Sequence, residues 1–77
     1  MNGITDELID ATAALACTEA DRINRAGAGT IASPRLALAV LHPQIRAAAM
    51  LRGVTDKALI NFLTAGALIV FQVRVAL

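Results

Sequence analysis

ALINFLTAGALIVFQVRVAL, the run from Ala58 to Leu77, is the most apolar part of the chain. It holds eleven large apolar side chains in 20 positions, and no charge falls in the 16 residues between Lys57 and Arg74. Fully burying eleven such groups stabilises by roughly 15–30 kcal/mol, at about 1.5–3 kcal/mol each. A domain whose net stability is about 5–15 kcal/mol cannot leave half of that in water. Read as a helix from 55 to 77, the segment starts with Thr55 as cap and Asp56 in the first turn, with Val54 and Leu59 placed as a hydrophobic staple. Lys57, Asn61, Thr64 and Gln72 then line up on one face, with Leu68 among them, and the other faces are apolar. A competing reading makes 68–77 a strand, because Phe71, Val73, Val75 and Leu77 alternate with Gln72, Arg74 and Ala76. A lone strand needs a partner, and the helical reading is preferred.

The remaining residues have little with which to cover such a segment. The chain has 77 residues, 57% of them hydrophobic, with alanine at 17 positions and only Phe62 and Phe71 as aromatics. A domain this short buries only about 60% of the surface its unfolded chain exposes. Small aliphatic residues favour helices in close approach over a core built on rings. The expected fold is therefore all-α, with two to four helical segments forming a helical hairpin or small bundle. Its long apolar C-terminal helix is expected to pack against other copies of the chain.

Upstream, residues 5–25 read as an acidic N-terminal helix. Thr5 is its expected cap, Asp6 and Glu7 lie in the first turn, and Arg22 and Arg25 in the last. Thr12, Ala16 and Ala20 make a small ridge at four-residue spacing. Residues 26–33 form a Gly/Ala linker. Ser33-Pro34 then opens a middle helix over 34–52, which ends at Gly53. Pro43 lacks an amide proton and disfavours helical geometry at His42, so this helix is expected to kink sharply or divide in two. All of this sits in one small helical domain spanning 1–77.

Charge is unevenly shared. Residues 1–21 carry five acids and no base, giving −5, while residues 22–77 carry seven bases against Asp56, giving +6. Such asymmetry points to contact between the two parts, within one chain or between copies, or to contact with anionic lipid. Asp6, Asp10, Asp21, Arg46, Arg52 and Lys57 are the candidate electrostatic contacts. Leu59, Phe62, Leu63, Ile69, Val70, Phe71 and Val73 are the candidate self-association residues.

No constellation for chemistry stands out. Cys17 and His42 are the only thiol and imidazole, and they lie too far apart in sequence to suggest a zinc site. AGAG at 26–29 lacks the preceding strand and the spacing of a phosphate loop. The bases are dispersed and aromatic rings scarce, so nucleic acid is not an expected partner. Acids at positions 6, 7 and 10 stand where a secretory signal would carry bases, so no signal peptide is read and synthesis in the cytoplasm is expected. The sequence thus suggests a non-enzymatic, cofactor-free structural subunit that self-assembles into a filament, ring or shell, retained in the cell or exported. Its alternative is a small single-span or tail-anchored protein using residues 58–77, which are long enough for a bilayer core. In that case Arg46, Arg52 and Lys57 would hold the N-terminus in the cytoplasm.

Overall fold

A computed structural model describes residues 3–26 and 33–76, apart from the side chain of Ala76. The 26–33 linker lies mostly outside the described residues, as does Leu77. Three helices are present: α1 (Gly3–Ala26), α2 (Pro34–Leu51) and α3 (Lys57–Ala76). All three pairs of helices pack together. Glu7 of α1 meets Arg52, which caps the end of α2, and Asp21 of α1 meets Arg74 of α3. The first and third helices therefore run parallel, with the second antiparallel between them in sequence. The body measures 40 × 19 × 17 Å, one long helix in length and two helices across.

Local signals explain most of the boundaries. Ser33 caps α2 with its hydroxyl, which accepts from the Leu36 amide at 3.4 Å, and Pro34 follows at the first helical position. At the other end, Gly53 takes a left-handed φ of 74°. Its amide donates to the Met50 carbonyl at 2.9 Å, and the Val54 amide donates to Ala49 at 2.9 Å. This pair of bonds is a Schellman stop, and Val54 supplies its accompanying apolar contact by packing on the core. The next cap falls one residue later than the sequence reading placed it. Asp56, not Thr55, accepts from the Ala58 amide at 3.0 Å through its carboxylate, and its carbonyl receives the first helical bond from Ile60. At the N-terminus, α1 already starts at Gly3, so Thr5 lies inside the helix and is not its cap. Nothing at Gly3 or Ile4 bars helical geometry, and helix ends shift by one or two residues for small causes.

Two alternatives left open by the sequence are resolved. First, α2 is one continuous helix through Pro43, the undivided form of the two expected. Its buried residues, Ala37, Leu41, Ile45 and Ala49, form one row at four-residue spacing that straddles the proline. A proline inside a helix costs about 3 kcal/mol, whereas burying Leu41 and Ile45 stabilises by about 3–6 kcal/mol. Pro43 itself is exposed. Burial on both sides outweighs the missing amide. Second, residues 68–76 are helical, as the preferred reading had them. A helix satisfies its own backbone and stacks Phe71 below Leu63 and Ala67 on one buried face.

The core is thin. Its buried apolar members are Leu8, Leu41, Ile45, Ile60, Leu63 and Phe71, joined by five alanines. The small ridge of Thr12, Ala16 and Ala20 lies within it and lets the helices approach closely. The two buried threonines bond back into their own helices, Thr12 to the Ile9 carbonyl at 3.1 Å and Thr64 to the Ile60 carbonyl at 2.7 Å. Neither hydroxyl is left unsatisfied.

Phe71 is 1% exposed and Phe62 is 65% exposed, so the two phenylalanines should behave oppositely on truncation. Phe71→Ala is expected to lose about 3–5 kcal/mol, and Phe62→Ala no more than about 0.5 kcal/mol. Urea unfolding of dilute protein checks both, and equal losses would contradict this packing.

Candidate interaction surfaces

Three helices in a bundle leave three grooves and three outer ridges, and α3 contributes the most unusual ridge. Helical geometry sets Ile60, Leu63, Thr64, Ala67 and Phe71 against the other helices. The opposite arc carries Ala58, Phe62, Ala65, Ile69 and Val73, all exposed. Phe62, Ile69 and Val73 remain 65%, 61% and 58% exposed. The spacing of these five positions, four, three, four and four, is that of an apolar seam rather than of scattered surface residues. Beside this ridge the α1/α3 groove holds a small apolar hollow of about 200 Å³, lined by Ile9, Ala13, Phe62, Gly66 and Val70 among others.

The α2/α3 groove on the other flank is different in kind. It opens into two adjoining clefts of about 670 and 530 Å³ that share His42 and Asn61. Arg35 lines the first and Arg46 and Lys57 the second, and neither is lined by an acid. Leu38, Leu68 and Ile60 give it an apolar floor.

The seven residues expected to mediate self-association thus fall into three groups. Leu63 and Phe71 are consumed by the core of the same chain. Leu59 and Val70 are half-buried against it. Phe62, Ile69 and Val73 face outward.

The six expected electrostatic residues also divide. Asp21 holds Arg74 through two hydrogen bonds at 3.0 and 3.3 Å. Arg52 lies 3.5 Å from Glu7, too far for a hydrogen bond, and its guanidinium is anchored by an Nη1 bond to the Ala48 carbonyl at 3.0 Å. Asp6, Asp10, Arg46 and Lys57 are exposed, and none makes an ion pair with a described residue. One pair with a buried acid and an exposed base was not anticipated. Glu19 is 7% exposed and is gripped by Arg22 through Nε at 2.9 Å and Nη2 at 2.6 Å. Its i,i+3 spacing is a readable signal. The Asp21–Arg74 and Glu7–Arg52 pairs have no such signal, because their partners are distant in sequence.

Among the described residues no three of His, Cys, Asp or Glu gather closely enough to hold a metal ion. Compared with known protein families, curated proteins and solved structures, the chain matches none.

The hydrogen bonds from Arg22 hold the Glu19 carboxyl below its ordinary pKa, outweighing burial, which acts the other way. Arg74 does the same for Asp21. A carboxylate with a depressed folded-state pKa stabilises the fold above its unfolded value, and that stability is lost as pH falls. The melting temperature is therefore expected to hold steady from neutral pH down to about 4 and to fall below it. Glu19→Gln should flatten this acid limb more than Asp21→Asn, since Asp21 is largely screened by solvent. Melting curves across the acid range test the order, and an unchanged limb in both variants would refute it.

Proposed function

We propose that the protein is a non-catalytic structural subunit that associates with copies of itself through the outer ridge of α3. The observation that carries this is the exposed seam of Phe62, Ile69 and Val73 on a helix whose opposite face is packed in the core. Isolated exposed apolar residues are ordinary, but a contiguous stripe with helical spacing supports association. Two such ridges packed side by side, with Ala58 and Ala65 between the larger side chains, would bury Phe62 and Ile69 in the manner of a coiled-coil seam. The α1/α3 hollow beside the ridge offers room for a phenylalanine of the second copy.

A single-span or tail-anchored membrane protein is the second reading. Lys57–Val75 has a mean hydropathy of 1.7 and only 28% of it is buried, so α3 is long, apolar and less covered than a typical core helix. Against this, Asn61, Thr64 and Gln72 lie within the span, and Trp and Tyr are missing from the whole sequence.

Sedimentation in detergent-free buffer distinguishes the two readings. Native protein is expected to run as a dimer or larger, and Phe62→Glu with Ile69→Glu to run as a folded monomer in about 1 M salt, where charge contacts are screened beyond ~3 Å. A native chain that stays monomeric at high concentration would refute association. One that enters the aqueous phase only with detergent or vesicles would favour the membrane.

A further inference from the structure

The ridge on α3 gives one contact, which alone pairs two copies. A second surface on the opposite flanks of the molecule would extend the pair, and it rests on the self-association proposed above. We propose that the acidic outer ridge of α1 in one copy seats in the basic α2/α3 groove of the next.

Shape comes first. In a three-helix bundle the groove between two helices lies across the body from the third. Leu8, Thr12 and Ala16 turn the inner side of α1 to the core, so Asp6, Asp10 and Ala14 crest its outer side, all exposed. A ridge on one side of the molecule therefore faces away from a groove on the other. Ala14 adds no bulk to that ridge, which favours close seating.

Charge agrees with shape. Glu7 and Asp21 are occupied by Arg52 and Arg74 within the chain, and Glu19 by Arg22. Asp56 is engaged in capping α3. The acids left over on α1 are Asp6 and Asp10, one helical turn apart. The bases of the groove that pair with no acid among the described residues are Arg35, Arg46 and Lys57, with His42 between the two clefts. Neither set has an ion-pair partner among the described residues of its own molecule.

Height agrees as well. Lys57 opens α3, and Arg46 lines the cleft at that same end of the bundle. Asp6 and Asp10 lie in the first two turns of α1, at the end where Glu7 meets Arg52. A simple sideways shift of one copy, without turning it over, brings the two acids to the level of Arg46 and Lys57. Contacts of this head-to-tail kind leave a free ridge at one end and a free groove at the other, so they build open rows, or rings where a rotation between copies closes them. With the α3 ridge as the pairing contact, rows become ribbons or shells.

Two charge-reversed variants test the inference: D6K/D10K, with a basic ridge and a basic groove, and R46E/K57E, with an acidic ridge and an acidic groove. Sedimentation at low salt is expected to find the native chain in species larger than a dimer. Raising salt to about 1 M, where screening acts over ~3 Å, should reduce these to dimers. Each variant alone is expected to stop at the dimer, its extension weakened about tenfold or more. An equimolar mixture should recover the larger species, because each ridge then meets a groove of opposite sign. Circular dichroism confirms that both variants keep their helices, and Asp6→Asn with Asp10→Asn gives a milder version if either fails to fold. A native chain that stops at the dimer, variants that extend like the native chain, or a mixture that stays dimeric would each overturn the ridge-in-groove contact and leave the α3 pairing standing. A native chain that is monomeric throughout would overturn both.

Discussion

A helix packed against two neighbours can hide only the arc that faces them, and α3 is apolar over far more than that arc. This mismatch governs the molecule. Of the large apolar residues in its last segment, Ile60, Leu63 and Phe71 are fully inside, while Leu59, Leu68, Val70 and Val75 are partly covered. Phe62, Ile69 and Val73 are turned outward by the same geometry that buries Phe71. No rotation of α3 would help, since sinking Phe62 would bring Phe71 into water. The exposed seam is thus a consequence of composition and helical period together.

The thinness of the core follows from the same constraint. With five alanines among eleven buried apolar residues, the helices meet at close range and gain more from backbone proximity than from large side chains. A closely packed trio has less circumference with which to wrap α3. Larger residues at Ala16, Ala20 or Ala37 would push the helices apart, at the usual cost of overpacking. The chain instead keeps a narrow body of 19 × 17 Å in section and leaves its third helix half-covered.

How much of this was legible in the residues depended on whether the signal was local. Ser33-Pro34 and Gly53 mark their boundaries because capping and left-handed geometry are set by a few neighbouring atoms. The helical period of 58–76 was readable too, and it prevailed over the alternation of Phe71, Val73 and Val75. Whether Pro43 would divide the helix was not legible, because its local penalty is visible in sequence, whereas the opposing burial of Leu41 and Ile45 exists only once α1 and α3 are in place. Asp56 was preferred to Thr55 as the cap by a shift of one residue, which local rules resolve poorly. The acidic-against-basic division was plain in the sequence. Which acids find partners inside the chain was not, because Asp21–Arg74 spans 53 positions and depends on α1 and α3 being parallel. The basic groove was likewise hidden, since Arg35, Arg46 and Lys57 converge only through the antiparallel pairing of α2 with α3.

The two ways of covering α3 can be compared on what each would disturb. Moving the helix into a bilayer would rehouse Ile60, Leu63 and Phe71, but would take them away from Leu8, Leu41 and Ile45. Those three, now fully buried, would return to water at a cost of about 5–9 kcal/mol. The Asp21–Arg74 pair would also be broken, and Asn61 and Gln72 would lose water without gaining a partner. Covering the same ridge with a second copy disturbs none of these contacts. It asks only for Phe62, Ile69 and Val73, which already face outward, and leaves Asn61 and Gln72 at the wet margin of the seam. Lipid offers more apolar cover, but a second copy offers it without dismantling the bundle, and on that balance a partner of the same sequence is the better fit to this fold.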